Sequence, residues 1–286
     1  MKKDENIRDI SNKKEEIEKR RKDMEERKEG RKKRADRKKK KKNVFSNILI
    51  LVFLVPLIIS GRYIYNYMKD VKKTEDTYKE VKELFKIKPK EKDTTKDEPL
   101  LVDMKGFLEK NSDSKFVLDF PKFNIKNVVV QTNNNDYYLT RDFNRQYNIA
   151  GWLFLDYRNA LNGEDKNLIV YGHNMRDGKT MLSPLVNMVN INFINGMSDE
   201  DKIIHIYDDK KNEKYKIFSV YQDRDQNISL RVPVSDEEFK QYALNMQRKS
   251  IYNFNENIND IKKMLTIATC GRTNTDRVII HAYKID

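Results

Sequence analysis

The residues that could carry out chemistry lie near the end of the chain, where the only cysteine and an arginine stand seven residues apart. Cys270 closes an apolar, β-branched run that begins at Met264, and Arg277 opens a second run that alternates apolar and polar residues. Both runs have the pattern of β-strands joined by a polar loop. Because neighbouring strands lie ~5 Å apart, a thiol and a guanidinium at one sheet edge could reach the same substrate carbonyl. A thiol enzyme of this kind also needs a base.

Three histidines are candidates for that base. His173 follows an apolar run and precedes a polar loop, so it is predicted to lie at the end of a strand. His205 and His281 lie inside strand-like runs, where a histidine is more often a packed or solvated sheet residue. Position therefore favours His173, since a general base must come within hydrogen-bond reach of the proton it takes.

The cysteine and the arginine also have purely structural interpretations. A lone cysteine usually behaves as a small buried hydrophobe, but Cys270 precedes a glycine and a polar loop, where a thiol can be exposed. An arginine at a loop edge is usually a surface charge. Arg272 competes with Arg277 for an active-site role, and we favour Arg277 because it opens the strand expected to pair beside Cys270. A guanidinium there would stabilise an oxyanion.

Charge is concentrated in the N-terminal segment. The formal net charge is +13, and residues 1–42 carry 21 Lys and Arg against 11 Asp and Glu, a net of +10. The excess of positive charge therefore belongs mainly to this segment, which is expected to be disordered or a solvated single helix. It favours contact with anionic lipid headgroups over nucleic acid, and no nucleic-acid partner is predicted.

Composition also limits the chemistry. One cysteine excludes an intrachain disulfide and a four-cysteine zinc site. The sequence contains no phosphate-binding glycine loop and no HExxH motif. We therefore predict no cofactor and no metal site, although a calcium site in a loop stays open.

An apolar stretch indicates a membrane span. Residues 44–59 contain no charge, and extension to residue 64 gives about the 20 residues that cross a bilayer. The basic residues before it place the N-terminus in the cytoplasm by the positive-inside rule. A cleaved signal peptide is the alternative, but the polar leader is long and no small-x-small site follows. The predicted organisation is a charged cytoplasmic segment (1–43), a transmembrane signal anchor (44–64), an extracellular stalk or linker (65–99) and a catalytic domain (100–286).

The C-terminal domain is predicted to be mainly β. Alternation bounded by turn residues indicates eight strands, over 116–119, 125–131, 151–155, 167–171, 202–207, 214–221, 264–270 and 277–283. Helices are expected over 100–110, 181–189 and 235–249, the last with a serine cap and acidic residues in its first turn. Eight strands and few helices favour a closed or nearly closed β-barrel with peripheral helices, preceded by one transmembrane helix.

These features together resemble a class B sortase, a membrane-anchored cysteine transpeptidase of Gram-positive bacteria. The resemblance is carried by TIATC (266–270) with the downstream arginine and by YGHNM (171–175). NNDYYLTRDFN (134–144), GWLFLDYRN (151–159) and YGHNMRDGKTMLSPL (171–185) are similar to class B segments in order and spacing. Two features depart from the family pattern. Isoleucine replaces the leucine of TLxTC, and only a short loop separates the cysteine from the arginine.

The resemblance implies an eight-stranded sortase-type β-barrel and a two-step acyl transfer. Cys270 would attack the carbonyl of a threonine in a sorting motif near the C-terminus of a secreted protein. His173 would act as general acid and base, and Arg277 would stabilise the oxyanion and clamp the substrate. The acceptor would be an amine of a lipid-linked cell-wall precursor or of a pilin lysine.

The resemblance also points to substrate contacts. Thr269, Thr266 and Asn174 are the candidates, and the two threonines lie on opposite faces of one strand. Only one of them can therefore face the cleft, and the resemblance favours Thr269. Two alternatives stay open, a membrane-anchored cysteine peptidase that only hydrolyses and a non-catalytic surface scaffold.

Overall fold

The structure, a computed structural model, describes residues 2–85, 102–175, 177–224, 229–270 and 276–285. Of residues 2–16, 43–44 and 270 it describes only the backbone. The linker predicted over 86–99 and the competing Arg272 therefore lie outside the described residues. The chain divides into two units, Met1–Asn66 and Tyr67–Asp286.

The first unit consists of a long helix, the N-terminal part of α1 (Lys2–Glu83). The charged segment, expected to be disordered or helical, is helical from its second residue. Large apolar side chains are exposed between Phe45 and Ile64. Among the described residues, α1 is the one helix long enough to span a membrane that also contains a sufficiently apolar stretch, an 18-residue window with a mean hydropathy of 2.5. The predicted anchor thus has the helical form that a span requires, and its orientation stays a prediction.

The second unit is built around a closed eight-stranded β-barrel, as predicted. The strands are β1 (Ser114–Phe120), β2 (Ile125–Val130), β3 (Phe154–Leu155), β4 (Asn167–Gly172), β5 (Ile203–Tyr207), β6 (Asn212–Asp223), β7 (Met264–Cys270) and β8 (Arg277–Lys284). Around the barrel they follow the order β1-β2-β3-β4-β7-β8-β6-β5. Strands β4 and β7 are parallel, and β7 and β8 are antiparallel. The ends of β4 and β7 therefore meet the start of β8 at one edge of the barrel.

Short helices surround the barrel. They are α2 (Lys105–Lys110), α3 (Ile191–Asn195) and α4 (Asp236–Lys249), with 3₁₀ turns at Pro121–Phe123, Tyr137–Leu139, Ser183–Val189 and Glu200–Lys202. The serine cap predicted for α4 is present, because the Ser235 hydroxyl accepts a hydrogen bond from the Glu238 N–H at 3.1 Å. The predicted helix over 181–189 is a 3₁₀ helix, and α3 was not predicted.

The strand predicted over 151–155 contains only its last two residues. Gly151 has a left-handed φ of +58°, and the Trp152 N–H donates to the Tyr138 carbonyl at 3.0 Å instead of to a neighbouring strand. The chain therefore turns before it can join the barrel at β3.

The helix predicted over 100–110 begins only at Lys105. The Met104 N–H donates to Asp209 Oδ1 at 2.8 Å, and the Val102 N–H donates to the Asp208 carbonyl at 3.4 Å. These long-range partners hold the residues before Lys105 against the β5–β6 turn.

Strand alternation gives β7 two apolar faces. Leu265 and Ile267 belong to the main core, whereas Met264 and Ala268 pack in a second cluster with α4. The strand that ends on Cys270 is therefore covered on both sides over most of its length, which holds its end in a fixed position.

The last part of α1, residues 67–83, belongs to the second unit. Thr74, Thr77 and Val81 are buried there, and the Tyr78 ring lies 5.1 Å from the Trp152 ring. From the sequence alone, these residues are predicted to belong to the stalk. The structure includes them in the compact unit, because their spacing forms one helical face that the domain covers. The other domain boundaries stay predictions.

We expect Gly151→Ala to destabilise the protein much more than Gly163→Ala. Both glycines have positive φ, so both substitutions strain the backbone. A Cβ at Gly151 would also lie 2.4 Å from the Tyr138 carbonyl oxygen, whereas a Cβ at Gly163 meets nothing within 4 Å. The expected loss in the free energy of unfolding is about 3 kcal/mol for Gly151→Ala and about 1 kcal/mol for Gly163→Ala.

The measurement is denaturant unfolding of the full chain in detergent, with both variants compared to the parent. Equal losses for the two variants would show that the carbonyl contact is unimportant and that only the backbone conformation matters.

Candidate active site

The register of three neighbouring strands brings the predicted catalytic residues together. In the parallel β4–β7 pair, Gly172 is aligned with Thr269, so His173 and Cys270 are the next residues of adjacent strands. In the antiparallel β7–β8 pair, Cys270 is aligned with Arg277. The backbone of Cys270 therefore lies between His173 on one side and Arg277 on the other, at strand spacings of ~5 Å.

A glycine is required where β4 reaches this edge. A Cβ at Gly172 would lie 2.4 Å from Leu153 Cδ2 and 2.8 Å from Leu182 Cγ. The close approach of these two leucines packs the strand end tightly against the layer beneath it. The following residue, His173, is thus presented from a well-packed position.

A cleft of about 190 Å³ opens at the same edge. Its polar lining comes from Asn135, His173, Thr269 and Arg277, and its apolar lining includes Leu139, Phe154 and Ala268. A larger groove of about 1040 Å³ lies at the opposite end of β7 and β8, and none of the predicted site residues lines it. The smaller cleft is therefore the candidate active site.

The imidazole of His173 is oriented by a backbone carbonyl. Its Nε2 lies 2.7 Å from the Leu139 carbonyl oxygen. Because a carbonyl only accepts, Nε2 carries the proton, and Nδ1 is the basic nitrogen of the neutral ring. The main chain is held too, since the Leu182 N–H donates to the His173 carbonyl at 3.0 Å. Ring and backbone are thus both fixed, as a general base requires.

Thr269 lies in the cleft lining and is 1% exposed. Its hydroxyl has no hydrogen-bond partner among the described residues. A buried hydroxyl left unpaired is costly, so a bound substrate that offers a donor or acceptor would be favoured at this position.

The structure does not bring Thr266 or Asn174 into the lining of the cleft. Thr266 is fully buried, and its hydroxyl oxygen lies 2.8 Å from both Asn167 Oδ1 and His281 Nδ1. Strand alternation turns Thr266 and Thr269 to opposite faces, and Thr266 also lies three residues before Thr269, further from the strand end where the cleft opens. Asn174 is half-buried beside His173 and forms a backbone bridge with Met181.

The other two histidines lie outside the cleft. His205 lies on β5, aligned with Asp119 of β1, and its ring stacks on Tyr207. His281 is fully buried, with Nε2 2.8 Å from the Tyr221 hydroxyl. Burial lowers the pKa of His281 to about 3, so this ring stays neutral near pH 7 and serves the fold.

A buried carboxylate beneath the cleft escaped the sequence analysis. Asp156 is fully buried and accepts hydrogen bonds from the Tyr171 hydroxyl at 2.7 Å, from Asn135 Nδ2 at 3.0 Å and from Arg158 Nε at 2.8 Å. Burial raises the pKa of Asp156, but the donors from Arg158 and Tyr171 outweigh it and hold the pKa below its ordinary value. Asp156 therefore stays ionised and fixes Tyr171 and Asn135, which both line the cleft.

The signal for this group was present in the sequence. In GWLFLDYRN, an aspartate and an arginine two residues apart directly follow an apolar strand, where their side chains are close enough to pair. Arg158 also donates to the Leu230 carbonyl at 2.9 Å. The pair therefore joins the cleft wall to the segment before α4.

No cluster of three or more His, Cys, Asp or Glu side chains that could hold a metal ion occurs within the described ranges. The strand register brings a cysteine, a histidine and an arginine together at the ends of three adjacent strands. This set suits acyl transfer through a thiol nucleophile.

Comparison with known proteins gives a consistent result. A family model described as Sortase domain matches residues 118–285, more than half of the chain. The chain is 30% identical over 160 residues to Sortase B of Staphylococcus aureus, a match that covers 54% of this chain and 63% of that protein. It spans less than two thirds of the length of the curated relatives it matches.

Solved structures also resemble part of this chain. A crystal structure of Sortase B from Clostridium perfringens is 31% identical, covers 64% of this chain and 99% of that chain, and has a TM-score of 0.58. A crystal structure of a Sortase B complexed with triglycine is 25% identical, covers 64% of this chain and 85% of that chain, and has a TM-score of 0.57.

We expect His281 to make the protein less stable in acid. In the folded protein it stays neutral down to about pH 3, whereas in the unfolded chain it takes up a proton near its ordinary pKa of 6.5. Its contribution to stability is therefore complete above pH 6.5 and is lost as the pH falls from there towards 3. Between pH 7 and pH 5 the loss is about 2 kcal/mol.

The measurement compares the free energy of unfolding of the full chain with that of His281→Gln at both pH values. Glutamine keeps a hydrogen-bonding group in the site but does not titrate, so the fall between pH 7 and pH 5 is smaller in the variant by that amount. The same fall in both proteins would show that His281 does not cause the acid sensitivity.

Proposed function

Because this chain belongs to the sortase family, we propose that it is a cysteine transpeptidase. It would cleave a sorting motif after threonine and transfer the acyl group to an amine. The relatives named above are B-type sortases, which confirms the class B resemblance found in the sequence.

One observation carries the proposal. The β4–β7–β8 register places the backbone of Cys270 between His173 and Arg277 at the edge of a cleft. Three residues of the types needed for thiol-based acyl transfer are thereby adjacent in space, although His173 is distant from the other two in sequence.

The first step forms a thioester. The Cys270 thiolate attacks the carbonyl carbon of the threonine, and a C–S bond forms as negative charge develops on the carbonyl oxygen. Arg277 stabilises that oxyanion. As the intermediate collapses, the C–N bond breaks, and protonated His173 gives its Nδ1 proton to the departing amine.

The second step transfers the acyl group. An amine nitrogen attacks the thioester carbon while Nδ1 of His173 takes up its proton. The C–S bond then breaks, and the Cys270 thiolate leaves beside the imidazolium. A glycine peptide has the amine that this step requires, and a related sortase B structure is described as a complex with triglycine. An amine of a cell-wall precursor or of a pilin lysine meets the same requirement.

The proposed location follows from the N-terminal helix. Residues 44–64 would cross the membrane once, with the basic segment in the cytoplasm and the cleft outside. Secreted proteins that carry a sorting motif, and lipid-linked acceptors, would then reach the cleft from the same side.

We expect Cys270→Ala and His173→Ala to abolish product formation, and Arg277→Ala to lower kcat by about 10²–10³-fold. The full chain in detergent is incubated with threonine-containing sorting peptides, with and without triglycine, and the products are read by mass spectrometry. Arg248→Ala is the control, because Arg248 is exposed on α4 outside the cleft lining.

The products decide between the alternatives. Cleavage after threonine with triglycine in the product supports transpeptidation. Cysteine-dependent cleavage that ignores triglycine would replace the proposal by hydrolysis. Product that forms equally with Cys270→Ala would rule out the thioester.

We expect Tyr171→Phe to raise KM for the peptide about fivefold and to change kcat less than twofold. The ring stays stacked on Phe154 at 5.1 Å, but the bond to Asp156 is lost, so the cleft wall is less well ordered for binding. Tyr157→Phe is the matched control, since Tyr157 is 52% exposed. An equal rise in KM for both variants would contradict a role of the Tyr171 hydroxyl in shaping the cleft.

A further inference from the structure

We propose that residues 67–83 of α1 hold the candidate general base in place, with Tyr67 and Tyr78 as positioning residues for His173. The inference rests on the proposed function, because that function makes His173 the acid and base. Neither tyrosine lines the cleft, so both would act through other groups.

The first line of support is the loop that directly follows the base. The Tyr67 hydroxyl donates to the Met175 carbonyl at 3.1 Å, two residues beyond His173. The Tyr78 hydroxyl donates to Met181 Sδ at 3.0 Å, next to Leu182, whose N–H holds the His173 carbonyl. The two hydroxyls thus contact both ends of this loop.

The loop that follows His173 needs such support because its backbone is strained at Met181. Met181 is 2% exposed and has a φ of +53°, which is unfavourable for a side chain with a Cβ. Burial raises the pKa of Tyr78 above its ordinary value, so the hydroxyl keeps its proton and can donate. Lys179 also pairs with Glu75 at 3.2 Å, which adds a third contact between this loop and the same helix.

The second line of support is the segment that orients the imidazole. The Leu139 carbonyl that holds Nε2 precedes a loop closed by the Asn148 N–H, which donates to the Thr140 carbonyl at 3.0 Å. Asn148 is fully buried, and its Nδ2 donates to the Thr74 hydroxyl at 2.8 Å. The backbone that holds Nε2 is therefore also anchored to α1.

An ion pair strengthens this second anchor. Lys73 Nζ lies 3.0 Å from Asp142 Oδ2 and 2.9 Å from the Tyr147 carbonyl oxygen. The Asp142 side chain is only 1% exposed, so its charge is well shielded from solvent. Lys73 therefore contacts the same loop near both of its ends.

Helical spacing explains why one segment of α1 can contact both the loop after His173 and the segment that contains Leu139. Tyr67, Thr74, Tyr78 and Val81 follow one another at intervals of seven, four and three residues, so they share a helix face. The loop that follows His173 and the segment whose carbonyl binds its ring therefore both pack against the same face of α1. Since a displacement of ~1 Å at a catalytic group can cost ~10²-fold in rate, loosening this face would impair the base even with the rest of the cleft lining in place.

The test is a double-mutant cycle on thiol reactivity. The chain has one cysteine, so iodoacetamide alkylation reports on Cys270 alone, even in variants that make no product. Tyr67→Phe/Tyr78→Phe removes both hydroxyls and keeps both rings. It is placed in the parent full chain and in His173→Ala, both in detergent at pH 7. Tyr65→Phe, a tyrosine of the same helix that is 68% exposed, is the control.

We expect His173→Ala to lower the alkylation rate at least tenfold, and the double tyrosine variant to lower it about fivefold in the parent. In the His173→Ala background the same two substitutions should change the rate less than twofold, because their effect passes through the imidazole. Tyr65→Phe should change the rate less than twofold in both backgrounds. With peptide and triglycine, the double variant should show a lower kcat at nearly unchanged KM.

A merely structural role would move different quantities. It would lower the thermal midpoint of unfolding and give the same fold-loss of alkylation in both backgrounds, and that result would overturn the proposal. The proposal would also be overturned if the double tyrosine substitution left the alkylation rate of the parent unchanged. If His173→Ala itself leaves the alkylation rate at the parent value, this histidine does not activate the thiol, and the proposed positioning role is wrong as well.

The two proposals fail separately. A parent that forms no product, yet shows the coupling between the tyrosines and His173, overturns the transpeptidase and supports the positioning role. A parent that forms the product without that coupling overturns only the positioning role.

Discussion

The parallel pairing of β4 with β7 is the constraint on which the candidate site depends. Parallel strands need a long crossover connection, and here it contains β5, β6 and α4. The alignment of Gly172 with Thr269 makes His173 and Cys270 neighbours. Since a slip of one residue would exchange the faces of a strand, the same register decides that Thr269 lines the cleft while Thr266 lies beside Asn167 and His281 on the other face.

Two buried polar groups bond to the strands of this pair from different sides. Asp156 ties the ring of Tyr171, on β4, to the wall of the cleft. His281 joins Thr266 of β7 to Tyr221 of β6 through its two ring nitrogens. Groups of this kind are stabilising only when every partner is present. The cleft is therefore framed by hydrogen bonds that fix the strands as well as by apolar packing.

Much of the fold could be predicted because its signals are local. The alternation along Met264–Cys270 gives that strand its bounds to the residue, and Ser235 gives the start of α4. The prediction was poorer where distant partners decide. The strand near Gly151 is short because Trp152 bonds back to Tyr138, and α2 starts late because Asp209 holds the residue before it. No local pattern reveals either partner.

Residue type and position in a strand determined the candidate chemistry from the sequence alone. A single cysteine at a strand end, a histidine before a loop and an arginine at a strand start can be recognised without coordinates, because each depends on its nearest neighbours. The tertiary structure decided which of these residues lie side by side, which threonine lines the cleft, and that Tyr67 and Tyr78 lie beside the loop of His173. Those outcomes depend on contacts between segments far apart in the chain, and such contacts are fixed only when the barrel closes and buries its strands.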